Sequence, residues 1–167
     1  MPELSFLKQL LYVDSSSPSG LRNRITRNSK AVKDAIAGRS NGQGYYQVRI
    51  KNVCYSAHRL VWYLSTYLDP GLDCIDHSDG DQTNNAIENL RIANWAGNSF
   101  NRAKSVSNTS GYKGVSFKKD KQKWYAQIKA NGKHVYLGTY TNLEEAAEVY
   151  NQAALAHHGI FARLNKL

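Results

Sequence analysis

The dipeptide Asn131-Gly132 constrains this chain more tightly than any other feature. It lies between two runs of strand-like alternation, "KWYAQIKA" at 123–130 and "KHVYLGT" at 133–139. A two-residue hairpin turn needs positive φ at its central positions, which Asn and Gly adopt at little cost. In the first run Trp124, Ala126, Ile128 and Ala130 alternate with Lys123, Tyr125, Gln127 and Lys129; in the second, Val135 and Leu137 alternate with His134 and Tyr136. One face is therefore apolar and the other basic and polar, the pattern of a half-buried sheet. The preceding "GYKGVSF" supplies a third strand. Thr141 and Glu144 are spaced as a capping box, and a helix is predicted from about Leu143 to His158, stopped by Gly159. Its face of Leu143, Ala146, Ala147, Tyr150, Ala153 and Ala154 is rich in small residues, so the helix lies close on the sheet. His157 and His158 read as surface residues suited to the negative end of that helix.

The polar stretch "AKSVSNTSG", 103–111, separates this segment from the residues before it. Residues 1–103 carry 12 basic and 9 acidic side chains, and residues 104–167 carry 10 and 4, so the smaller part holds most of the net charge of +9. Such a balance favours a polyanionic partner, nucleic acid before a membrane surface. No run approaches the length of apolar residues a spanning helix requires. The start, "MPELSFLKQLLYVD", lacks the basic region and cleavage site of a signal peptide, so a cytoplasmic rather than secreted protein is expected. Two cysteines, Cys54 and Cys74, make neither a disulfide framework nor a structural zinc site and read as buried thiols.

In the first segment Leu4 to Tyr12 predicts a short amphipathic helix, and "SSSPSG" then breaks the chain before a basic stretch from Arg22 to Arg39. Strands are predicted over Tyr45–Ile50 and Val53–Ala57, turning at Lys51-Asn52. "HRLVWYLSTYL", 58–68, has helical spacing and ends before Pro70-Gly71. His58 is expected to cap or pack at the start of that helix.

Between Leu60 and Leu90 this basic chain has six acids and no Lys or Arg. Within that stretch lies "CIDHSDGDQTNNAIENL", 74–90. A helix-loop-helix calcium site is excluded, because counting back from Gly80 places Ile75 and His77 where oxygen ligands are needed. A solvated turn in which Asp and Asn bond their own backbone is the bland alternative. The residues C-terminal to the loop favour a third reading. "LRIAN", 90–94, is a short strand and "WAGNSFNRA", 95–103, has helical spacing. Such a strand–loop–strand–helix unit is expected to bring Asp76 and Asn98 together. Two oxygen ligands with open positions suit Mg²⁺ or Mn²⁺, which keep waters and take phosphate oxygens. His77 beside them is placed to accept a proton from water. Asp79, Asp81, Asn84 and Asn85 are expected to form the loop.

These residues, "HRLVWYL … IDHSDGDQTNNAIENLRIANWAGNSFNR", resemble the His-Asn-His (HNH) nuclease family, nearest its phage and homing branch, over roughly Tyr45 to Arg102. The resemblance implies a ββα-metal fold with His77 as general base, Asp76 as metal ligand and Asn89 as the central Asn that holds the loop and the His ring. Asn98 falls at the second metal ligand and departs from the family name in being Asn rather than His. Arg91 and Arg102 are candidates to clamp phosphate oxygens. The cation explains a negative pocket on a DNA-seeking polycation, since metal occupancy reverses its local sign.

The last segment resembles the plant Apetala/ethylene-response-factor DNA-binding domain over 111–165, through "YKGVSF", "KWYAQI", "YLGTY", "EEAAEVYNQAAL" and "ARLN" in order. That resemblance places DNA contacts on Lys113, Ser116, Lys118, Gln127, Lys129, His134 and Tyr136. Several arginines usual in that family are Lys, Ser or His here, so its preferred sequence is not carried over. The expected fold class is α+β: an HNH domain at 1–103, a linker at 104–110, and a three-stranded antiparallel sheet packed on one helix at 111–167. The expected function is a Mg²⁺- or Mn²⁺-dependent endonuclease on double-stranded DNA, nicking one strand per active site, acting as monomer or homodimer. The rivals are a DNA-binding regulator with a dead nuclease fold and an RNA-binding accessory protein.

Overall fold

The computed structural model describes residues 1–167 and is mixed α and β, in two compact units, Met1–Trp95 and Ala96–Leu167. The division falls upstream of the polar stretch expected to be a linker. Residues 104–110 instead belong to the second unit: Ser110 is buried and donates its hydroxyl to the Val115 carbonyl at 2.8 Å, while Asn108 Oδ1 accepts the Gly111 N–H at 2.8 Å.

The first unit begins with α1 (Leu4–Leu10), which stops before Tyr12 because Leu11–Val13 is drawn into an antiparallel pair, β1 with β2 (Leu21–Asn23). A short β3 (Arg39–Ser40) edges β4 (Tyr46–Ile50), which pairs with β5 (Val53–Ser56). The β4–β5 turn uses positive φ at Lys51 and Asn52, as a two-residue hairpin demands. Helix α2 (Ala57–Thr66) buries Ala57, Leu60, Val61 and Leu64 on one face and ends where Tyr67 turns left-handed. That face joins Leu7, Leu11, Leu21 and Val48 in the core, to which β6 (Cys74–His77) and β7 (Leu90–Ala93) add Ile75 and Leu90. Cys54 is exposed and Cys74 half-buried, correcting the expectation of two buried thiols. Burial in β5 is confined to its C-terminal half, so position 54 stays outside.

In the second unit α3 (Trp95–Phe100, its first residue still in the first unit) precedes a sheet of order β10-β9-β8, formed by β8 (Val115–Lys118), β9 (Lys123–Ala130) and β10 (Lys133–Tyr140). Asn131 and Gly132 both have positive φ, as predicted. Helix α4 (Leu143–His158) covers one face, where Ala126, Ala146, Ala147 and Ala154 are fully buried and let helix and sheet approach closely. Two local readings are corrected. The helix is capped by Asn142, whose side-chain oxygen accepts the Glu145 N–H at 2.9 Å, and not by Thr141; β10 runs on to Tyr140, and Asn caps at least as well as Thr. His158 is buried rather than on the surface. Its ring stacks on Phe100 at 3.8 Å, and its Nε2 donates to the Lys129 carbonyl at 2.8 Å.

Gly114 shows how closely this unit is packed. Its φ is +76°, and a Cβ there would overlap the Tyr150 ring and sit 2.6 Å from the Gln127 carbonyl oxygen. Gly114→Ala is expected to destabilise the protein by about 2–4 kcal/mol, measured as the shift in urea unfolding.

Candidate active site and nucleic-acid interface

Strand alternation sends Ile75 and His77 to one face of β6 and Asp76 to the other. Asp76 lies directly opposite Arg91 on β7, and only 6% of it is exposed. Arg91 Nε and Nη2 both donate to Asp76 Oδ2, at 2.9 and 2.7 Å. A buried carboxylate needs such a partner, because leaving it unpaired costs several kcal/mol. Arg91 is thus engaged with Asp76 rather than standing out as a phosphate clamp.

His77 is 4% exposed and has aromatic neighbours. His58, in the first turn of α2, meets its ring edge-on at 5.1 Å between centroids, and Tyr45 lies 6.2 Å away. His77 Nε2 is 3.0 Å from Asn85 Oδ1. Asn89 carries out half of its expected role. Its side chain accepts from the Asp79 N–H and donates to Asp79 Oδ1 and the Asn84 carbonyl, all at 2.9–3.0 Å, so it holds the loop. Its side chain does not reach the His ring; Asn85 does. Sequence reasoning counted Asn85 among the loop-formers and had no signal for its contact with Ser19, 66 positions away.

The remaining acids of the loop build it. Asp79 accepts from the Asp81 N–H and from Asn84, and Asp81 accepts the Thr83 N–H and hydroxyl. Burial tends to raise the Asp79 pKa, but the bonds from Asn84, Asp81 and Asn89 outweigh it and leave the carboxyl below its usual value. Asp81 is lowered by the Thr83 hydroxyl and N–H.

Asn98 lies within α3, and Arg102 follows that helix with an exposed side chain, both in the second unit. Asp76 and Asn98 offer a carboxylate and a carboxamide. Hard oxygen donors of this kind are ones that Mg²⁺ and Mn²⁺ take.

On the sheet of the second unit, Ser116, Lys118, Lys123, Tyr125, Gln127, Lys129, His134 and Tyr136 share the face turned away from α4. Tyr125 and Tyr136 stack at 4.9 Å, and the Lys118 ammonium lies 5.1 Å from the Tyr125 ring centroid. Lys113 stands apart from this set. Its Nζ donates to the Phe100 and Arg102 carbonyls at 2.5 and 2.7 Å, closing the end of α3, and burial followed by the nearby Arg163 charge lowers its pKa to about 8.

Burial, with smaller contributions from His77 and Arg59, pushes His58 down from 6.5 to about 3. The folded value lies below the unfolded one, so the unfolded chain takes up more protons and stability falls as pH drops from 6.5 towards 3. His58→Phe is expected to remove a loss of about 1 kcal/mol per pH unit between pH 6 and 4, read as the difference between the two proteins' urea midpoints.

Two family models match the chain. A family model described as HNH endonuclease matches residues 55–99, and one described as AP2 domain matches residues 110–159. The chain is similar to Protein 3.8 of Escherichia phage T7, 38% identical over 106 residues, which is 64% of this chain and 87% of that protein. It is 34% identical over 93 residues to the "Uncharacterized HNH endonuclease L560" of Acanthamoeba polyphaga mimivirus, covering 56% of this chain and 47% of that one. APETALA2-like protein 2 of Oryza sativa subsp. indica is 37% identical over 59 residues, 35% of this chain and 14% of the plant protein.

Proposed function

For a chain that belongs to the HNH endonuclease family and carries an AP2 domain, we propose a metal-dependent DNA endonuclease that nicks one strand at each active site. The observation that carries the reading is the pair Asp76-His77, both buried on one short strand within the matched region, the imidazole held by a carboxamide and the carboxylate by a guanidinium. A structural strand has no need of two adjacent buried ionisable groups. No helix is long and apolar enough to cross a membrane, and the net charge of +9 suits a phosphate backbone.

In this reading His77 accepts the proton of the attacking water as it approaches phosphorus. Asp76 and Asn98 would hold the divalent cation, which supplies positive charge against the charge that builds on the phosphate oxygens. Arg91, across the ladder, holds the Asp76 carboxylate in place. Arg102, exposed beyond α3, is free to reach the phosphate backbone. The sheet face of Lys118, Lys123, Lys129, Gln127, His134 and Tyr136 binds the duplex, in a major groove about 12 Å wide. His77, Asp76 and Asn98 thus cut, and the sheet face selects where.

One observation favours a second reading. Arg91 already neutralises Asp76, as it would in a regulator that binds DNA and never cuts. Supercoiled plasmid separates the two. With Mg²⁺ or Mn²⁺ the protein is expected to produce nicked circles, and EDTA to stop it. His77→Ala should slow nicking by about 10²- to 10⁴-fold with DNA affinity unchanged. Lys118→Ala combined with Lys129→Ala should weaken binding and flatten its salt dependence by about two charges. Intact plasmid with both metals would leave only the regulator.

A further inference from the structure

A neutral imidazole is a base only at the nitrogen without the proton, and the partner of the other nitrogen decides which that is. Around His77 the decision can be traced. Asn85 is 4% exposed, and its side chain bridges two groups: Oδ1 lies 3.0 Å from His77 Nε2, and Nδ2 lies 3.2 Å from the Ser19 carbonyl oxygen. The two ends of a carboxamide have the same shape, so their assignment must come from their neighbours. A main-chain carbonyl only accepts. The NH₂ must therefore face Ser19, the oxygen must face His77, and Nε2 must carry the hydrogen.

The Ser19 carbonyl is itself well fixed. The Ser17 and Ser19 hydroxyls both donate to the Leu21 carbonyl, at 2.8 and 3.0 Å, and the Gly20 N–H donates to the Ser17 carbonyl at 2.8 Å. Gly20 has φ +74°, and a Cβ there would come within 2.9 Å of Val61 Cγ2 and 3.0 Å of Asn85 Cβ. The loop of residues 14–20 is thereby pressed against both α2 and Asn85.

We propose that Asn85, oriented by the main-chain carbonyl of Ser19, is the positioning residue that fixes the tautomer of His77, holding hydrogen on Nε2 and the lone pair on Nδ1. The loop of residues 14–20 is then part of the site, although it lies outside the segment matched to the HNH family. The assignment of Nδ1 as the base rests on the nuclease reading; the tautomer itself does not.

Two-bond proton–nitrogen correlation of the ¹⁵N-histidine-labelled protein tests the tautomer directly. His77 is expected to show a pyrrole-type Nε2 bearing a slowly exchanging hydrogen and a pyridine-type Nδ1. Asn85→Ala should lose that slow exchange and cut the nicking rate at saturating DNA by about 10- to 100-fold with KM unchanged. Asn85→Asp, which keeps an acceptor at the same place, should retain the Nε2 hydrogen and recover part of the rate. A pyridine-type Nε2 in the wild type overturns the proposal, with no variant needed. So does an Asn85→Ala protein whose Nε2 hydrogen and nicking rate match the wild type, and in that case the nuclease reading survives. A wild type that never cuts yet shows the Asn85-dependent Nε2 hydrogen leaves the tautomer assignment standing and removes the nuclease reading.

Discussion

Two neighbouring ionisable groups buried on a strand of four residues are what the first unit is built around. Alternation forces Asp76 and His77 to opposite faces, so no single partner serves both. Each is answered by a different element. Arg91 comes from the paired strand, directly across the ladder, and Asn85 comes from the loop that joins the two strands. The loop can present Asn85 only because it closes on itself through Asp79, Asp81, Asn84 and Asn89. Four side chains of the loop thus hold the shape that delivers a fifth to the imidazole.

The two units differ in charge. Acids concentrate around the hairpin of β6 and β7, while the second unit presents a sheet face of lysines and stacked tyrosines. Two guanidinium N–H groups of Arg91 converge on one oxygen of the buried Asp76 carboxylate.

Much of the second unit was legible because period-two alternation and Asn-Gly each state their geometry locally. The strand ends fell within a residue of expectation at β9 and β10, and α4 ran over the span read from its small-residue face. Misreadings came where two residues compete for one local role, as Thr141 and Asn142 do for the helix cap. They also came where a side chain's partner is distant. Lys113 looked like a DNA contact until its ammonium was found on the carbonyls at the end of α3, and His158 looked solvent-facing until Phe100 was found beneath it. In the first unit the pair Asp76-His77 was visible, because adjacent ionisable groups in a strand pattern are anomalous. Arg91 was visible as a cation but not as the partner of Asp76, since register between β6 and β7 depends on how the loop closes. Ser19 was invisible: only its main-chain carbonyl acts, and a carbonyl has no signature in sequence.

The proposed mechanism turns on Asp76 and Asn98 taking up a divalent cation when DNA is bound. Anomalous diffraction from crystals of the His77→Ala protein with duplex DNA and Mn²⁺ measures this directly. The account predicts manganese at about 2.0–2.3 Å from an Asp76 oxygen and the Asn98 amide oxygen. An Asp76 still paired with Arg91, with no manganese beside it, would contradict the account.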